Sequence, residues 1–162
     1  MIIEEYNDKY LKEITKIWND AVRSGKYFPQ ENTLTLNEAD DFFKSQDFTG
    51  IAVINCKIVG VYILHANSIG RINHVANASY AVKEAARGNK IGEQLVLHSI
   101  NISKTLGYKI LQFNAVVVTN EYAIKLYEKI GFRKIGKVPK SYRNISGEYE
   151  DILLYYIDLE HN

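Results

Sequence analysis

The sequence predicts a mixed α/β domain in which helices pack on a sheet of about seven strands. Three observations lead there. Apolar residues recur at helical spacing in some segments and form short, branched runs in others. Strands follow one another directly before and after a central strand-helix-strand crossover, where strict β-α alternation would give a doubly wound parallel sheet. The 162 residues, 46% of them hydrophobic, suit one continuous core.

Taken in order, Ile2 to Tyr6 reads as a short strand. From about Lys9 to Ser24 the residues Ile14, Ile17, Trp18 and Ala21 fall at i, i+3, i+4 and i+7, one face of a helix. SGKYFPQENT, with Gly25 and Pro29, reads as a loop, and LNEADDFFKS as a second helix capped by Thr35 or Asn37. The apolar runs Gly50 to Asn55 and Ile58 to Ala66 suggest a hairpin, and His74 to Val82 a third strand. A helix from Ile91 to Leu106 closes at Gly107, a residue suited to a C-terminal cap. The remainder reads as strand KILQFNAVVV, helix EYAIKLYEKI, strand FRKIGKVP, polar loop KSYRNISGE and strand DILLYYIDL. No repeat, linker or low-complexity tract divides the chain, so residues 1–162 are read as one domain.

Composition removes several classes of function. With 20 basic and 19 acidic side chains intermixed, the net charge of +1 gives no field for a nucleic-acid backbone. The single cysteine, Cys56, allows no internal disulfide and suits a reducing compartment, so a cytoplasmic protein is expected. The acidic N-terminus does not read as a signal peptide, and IAVINCKIVGVYIL is broken by Asn55 and Lys57, so no membrane partner is expected. The four histidines, His65, His74, His98 and His161, lack metal-ligand spacing, and no metal is expected. No serine or cysteine nucleophile has a recognisable partner.

AARGNKIGEQL places Arg87 and two glycines before a helix. A helix N-terminus offers unpaired backbone N–H groups and a partial positive charge, so this layout suits an anion. The Walker A and dinucleotide patterns are absent. The stretch resembles motif A of the GNAT superfamily of acyl-CoA-dependent N-acyltransferases, [Gln/Arg]-x-x-Gly-x-[Gly/Ala] after a strand ending in valine: Val82 ends the strand, Arg87 opens the pattern and Gly92 closes it. NEYAIKLYEKIGF resembles the family's second motif at Asn120, Ala123, Leu126, Tyr127, Gly131 and Phe132. Lys90 stands where the family's middle glycine is expected. In a left-handed conformation it would cost about 1 kcal/mol or more; in a helical one it would add a cation.

The resemblance implies a GNAT fold with about four helices and a splayed central strand pair. It also implies acetyl-CoA bound between strands ending near Val82 and Val116, with its pyrophosphate on Arg87, Gly88, Asn89, Lys90, Ile91 and Gly92, and Asn120 and Ala123 against the pantetheine arm. Direct attack by an amine then needs a proton acceptor, oxyanion stabilisation and a proton for the thiolate. Tyr127 occupies the family's general-acid position, although Ala123, Leu126, Tyr127 and Ile130 also form one apolar helix face. The oxyanion falls to a backbone N–H near Val82. HVANASYAV holds no carboxylate, which leaves His74 or a water relay as base.

HVANASY and FNAV resemble the branch that acetylates proline analogues such as azetidine-2-carboxylate, and IWNDAVRSGKYF resembles the phosphinothricin-acetyltransferase-like group. These imply Asn77 and Asn114 at the thioester and a small amine acceptor, amino-acid-like molecules being one class. Tyr27, Phe28, Tyr80, Tyr142 and Arg143 are candidates to complete the acceptor pocket, Arg143 as partner of a substrate carboxylate. Two alternatives stay open: acetylation of a protein or peptide amine, and a non-catalytic acyl-CoA-binding or sensing module. Homodimers are common in the superfamily, and the long apolar last strand is a candidate for pairing copies through the sheet.

Overall fold

The computed structural model describes residues 1–161. Seven strands form a single sheet: β1 (Ile2–Glu5), β2 (Phe48–Ile54), β3 (Lys57–Ala66), β4 (Val75–Val82), β5 (Ile110–Val117), β6 (Arg133–Arg143) and β7 (Tyr149–Asp158), in the order β1-β2-β3-β4-β5-β7-β6. All neighbours are antiparallel except β4 and β5, which the crossover helix joins in parallel. The α/β class and the element order are those expected.

Strand alternation divides the core between two helical layers. Val61 and Ile63 of β3 face α1 (Leu11–Ser24) and α2 (Leu36–Lys44), where Ile14, Trp18 and Phe43 are buried. Tyr62 and Leu64 face the opposite layer, α3 (Ile91–Thr105) and α4 (Glu121–Ile130), and meet Leu95, Val96 and Leu126. Thr35 is the cap of α2: its hydroxyl accepts from Glu38 N–H and the Glu38 carboxylate accepts from Thr35 N–H at 2.8 Å, a capping box. The β2–β3 hairpin turns on Asn55 and Cys56, both left-handed, as a two-residue turn requires for strands of right-handed twist.

Two expectations are corrected. The segment read as a polar loop after Pro139 continues β6 as far as Arg143, because Tyr142 pairs with Glu150 and Arg143 with Tyr149 of β7. Tyr142 and Arg143 therefore stand on a strand. The apolar last strand β7 is not available for pairing copies, since β5 and β6 occupy both its edges. Its apolar character reflects that interior place.

Gly50 lies opposite Tyr62, and the Tyr62 ring covers it so closely that an added Cβ would stand 2.1 Å from Cε1. Gly50→Ala is expected to destabilise the fold by about 2 kcal/mol through overpacking. A lowered midpoint in urea, with an unchanged denaturant slope, is the measurement that checks it.

Candidate functional site

β4 and β5 pair only through Val75–Ile110 and Ala76–Leu111 and then part. On the far side of β5 the register with β7 also breaks between Phe113 and Val116, so Asn114 and Ala115 sit in a bulge. Beyond Ala76, β4 is held by β3 alone, and its other edge borders an opening through the sheet. Two cavities meet there. One, of about 380 Å³, lies toward α1 and the loop that follows it; the other, of about 530 Å³, lies toward α3 and α4. Tyr27, Tyr80, Val82, Arg87, Asn120 and Tyr127 line both.

The α3 side carries the motif loop. Lys90 is the N-cap of α3 with φ +57° and ψ +17°, so it occupies the left-handed conformation the family's glycine would take. No side chain caps α3, whereas Thr35 and Asn120 cap α2 and α4. Its first backbone N–H groups are consequently left for another acceptor. Arg87 and Lys90 are exposed, and neither forms an ion pair among the described residues. Unpaired donors beside two exposed cations are the arrangement an anionic group occupies, the Glu93 carboxylate of the first turn being paired with Lys129 at 2.7 Å. Gly88, Ile91, Gly92 and Ala123 complete this wall with Leu126 and Tyr122, giving a mostly apolar channel behind the charged entrance, while the Asn89 amide folds back to donate to the Ala86 carbonyl.

Tyr127 projects from α4 to the junction of the cavities. Its ring packs against Phe113, with centroids 4.5 Å apart, and against Phe132 and Tyr155, so the apolar-face reading of α4 also holds. The hydroxyls of Tyr62, Tyr80 and Tyr155 are bonded to His98, Ser99 and Glu128 at 2.7–2.8 Å. That of Tyr127 bonds to nothing among the described residues, and burial pushes its pKa upward, so it stays protonated at neutral pH. Asn120 caps α4 through Oδ1, which accepts from Ala123 N–H at 3.3 Å, and its amide N–H groups remain for the cavity.

On the α1 side the floor is made of amides. Asn67 Oδ1 accepts from Asn77 Nδ2 at 3.2 Å and from Asn114 Nδ2 at 2.5 Å, and Gln112 Nε2 donates to Asn114 Oδ1 at 2.9 Å. Asn77 and Asn114 are thus brought together across the parted strands. Phe28 lines the same cavity and packs edge-on against Trp18, at 4.9 Å between centroids, while Tyr80 contributes its ring, its hydroxyl being tied to Ser99. His65, Gln30 and Ser24 also line this cavity, and the sequence reading does not single them out.

Three expected site residues lie elsewhere. His74 is exposed, just before β4 at its paired end, with its carbonyl held by Lys109 N–H, and it lines neither cavity. Tyr142 is a buried brace whose hydroxyl bonds the carbonyls of Gly25 and Phe28 at 3.0 Å. Arg143 is paired with Glu31. Both line a separate cavity behind the α1–α2 loop, because the extension of β6 carries them past the cleft.

A sequence model described as the acetyltransferase (GNAT) family matches residues 11–132. The chain belongs to this family. It is an acetyl-CoA-dependent acetyltransferase. N-acetyltransferase aca1 of Schizosaccharomyces pombe is 26% identical over 91% of this chain and 79% of its own length. A GCN5-related N-acetyltransferase from Kribbella flavida superposes with a TM-score of 0.90 at 28% identity, over 97% of this chain and 96% of that one. The phosphinothricin acetyltransferase of Sinorhizobium meliloti, solved with acetyl-CoA, has a TM-score of 0.90 at 17% identity, over 97% and 87% of the two chains, and at that identity speaks to fold alone. In GNAT terms, the uncapped α3 with its exposed cations has the chemistry a pyrophosphate needs, and the apolar channel has that of a pantetheine arm. Among the described residues no group of three or more His, Cys, Asp or Glu side chains could hold a metal ion, and no helix is long and apolar enough to cross a membrane.

Arg87→Ala is expected to weaken acetyl-CoA binding about tenfold or more through loss of a charge-assisted contact. Lys90→Gly releases about 1 kcal/mol of left-handed strain, offset in part by the greater freedom of glycine in the unfolded chain, so its melting temperature should not fall. Calorimetric titration and thermal melts of the two variants check both expectations.

Proposed function

We propose that this GNAT enzyme acetylates the amine of a small molecule, amino-acid-like amines being the leading class, and that it belongs with the phosphinothricin- and proline-analogue-acetylating branch. The carrying observation is the acceptor-side cavity: about 380 Å³, lined mostly by neutral amides, hydroxyls and aromatic rings with no carboxylate, and shared with the other cavity at the unpartnered Tyr127. Its roof is the α1–α2 loop, braced by Tyr142 and by Ile145, whose Cβ sits 2.8 Å from where a Cβ on Gly25 would stand. A braced roof favours a closed pocket over the open groove that a protein or peptide acceptor needs. We read residues 1–162 as one domain acting in the cytoplasm, the latter from cysteine usage alone.

When bound, acetyl-CoA supplies the activated acyl group. Arg87, Lys90 and the N–H groups from Gly88 to Gly92 hold the pyrophosphate, and the Asn120 amide and Ala123 guide the pantetheine arm. The unpaired edge of β4 ending at Val82 offers backbone N–H groups to a developing oxyanion. Asn77 and Asn114 present their amides to the acceptor. Tyr127 keeps its proton until a thiolate departs beside it. The burial that raises the phenol's pKa also raises that of a thiolate in the same site, so the transfer is not opposed by the full shift.

Tyr127→Phe is expected to retain acetyl-CoA affinity while kcat falls about 10²-fold, the usual scale for loss of a general acid. Steady-state turnover of azetidine-2-carboxylate and phosphinothricin, beside calorimetry, measures this. Tight acetyl-CoA binding with no turnover of any amine by the wild type would instead identify a sensing module.

A further inference from the structure

We propose that His65 is the group that takes the proton from the acceptor amine, an inference that rests on the small-amine reading above. An amine arrives at neutral pH as an ammonium ion and must lose a proton before its lone pair can attack. The acceptor-side cavity contains no aspartate or glutamate among its lining residues. Its ionisable side chains are Tyr27, His65, Tyr80, Arg87 and Tyr127. Arginine remains protonated throughout, and burial drives Tyr80 and Tyr127 toward retaining their protons. Tyrosine and arginine thus offer no acceptor near neutrality, whereas imidazole is the side chain that does.

The geometry prepares that imidazole. His65 Nδ1 lies 2.8 Å from the carbonyl oxygen of Ala66. A carbonyl can only accept, so the hydrogen resides on Nδ1, and Nε2 carries the lone pair. Nε2 has no hydrogen-bond partner among the described residues, and His65 faces the cavity beside Asn77, its cross-strand partner in the β3–β4 register. Around it stand Asn77 from β4, Asn114 from β5, Ser24 from α1, and Tyr27 and Gln30 from the loop that follows, all uncharged near neutrality, and Arg87 is the one fixed charge that lines the cavity. The carboxylate of Asp47 is engaged one residue along the chain, where it accepts from Ala66 N–H at 2.9 Å and from the Tyr108 hydroxyl.

Gln30 lines the same cavity and the neighbouring one, and its buried Oε1 is an unsatisfied acceptor among the described residues, a state that costs free energy. The ammonium proton passes to Nε2 of His65, giving imidazolium and a neutral amine. As the N–C bond forms, the C–S bond breaks and the thiolate takes the Tyr127 proton. The one surplus proton on the acylated, positively charged nitrogen restores the phenol, leaving a neutral amide, and His65 returns its proton to water. Charge and atoms balance, and no further reactant is needed.

The test uses His65→Asn, whose amide keeps a donor for the Ala66 carbonyl while removing the proton acceptor. With azetidine-2-carboxylate and phosphinothricin as acceptors, kcat at pH 7 should fall about 10²-fold with acetyl-CoA affinity unchanged. If His65 is the proton acceptor, kcat/KM should rise with pH in the wild type and not in His65→Asn, and imidazole should restore part of the rate to His65→Ala. An unaltered rate and pH profile in His65→Asn would overturn the proposal. Nitrogen NMR of the histidines in the acetyl-CoA complex reads the same point without an acceptor: a neutral His65 protonated on Nδ1 supports it, and a proton on Nε2 overturns it. If the wild type turns over neither probe, the small-amine reading fails while the NMR result still decides the role of His65.

Discussion

The site depends on the early separation of β4 from β5. A parallel pair normally continues for the length of its strands, but here two residues pair and the rest diverge. Backbone groups left without a ladder partner must find another or remain in water. The protein holds the gap open through packing on either side of it. Phe113 and Tyr127 fill it from the α4 layer, the amides of Asn67, Asn77 and Asn114 bind across it from the other, and the bulge at Asn114–Ala115 turns β5 away. Both cavities, and their meeting at Tyr127, follow from that separation.

Side chains cap α2 and α4 but neither α1 nor α3. Thr35 and Asn120 satisfy their helices locally, and Asn120 does so with half of its amide, leaving the other half for the cavity. At α3 the sequence forgoes a cap and tolerates a strained lysine. The energy forgone at one helix end is what makes that end responsive to a ligand, a common trade at sites built on backbone donors.

Much of this was legible in the sequence because it is local. The element order and the Asn120 cap follow from spacing within a dozen residues, and the motif loop and Tyr127 stand out by their resemblance to the two GNAT motifs. Residues 140–143 look like loop by composition, and only their pairing with β7 makes them strand. That pairing carries Tyr142 and Arg143 away from the acceptor cavity. Of the four histidines, the sequence singles out His74 at the start of the third strand, but His65 reaches the cleft through the register of β3 with β4. The connection from Asn67 to His74 hides that register, since its length does not fix which residues face one another. Lys90 could be read either way until its backbone conformation was seen.

The two outer strands determine how the sheet meets other polypeptide. β1 is four residues long, and β6 carries Arg133, Lys134, Lys137 and Lys140, with Pro139 among them and two breaks in register. Short length, closely spaced positive charge, a missing N–H and local kinks are the features that blunt an exposed edge as a template. An amyloid-forming segment or a second copy arriving edge-on meets no long, flat, apolar strand to extend. The apolar runs of β3 and β7 are instead each shielded between two neighbours, so sequences that would aggregate readily when exposed are ones the topology keeps inside.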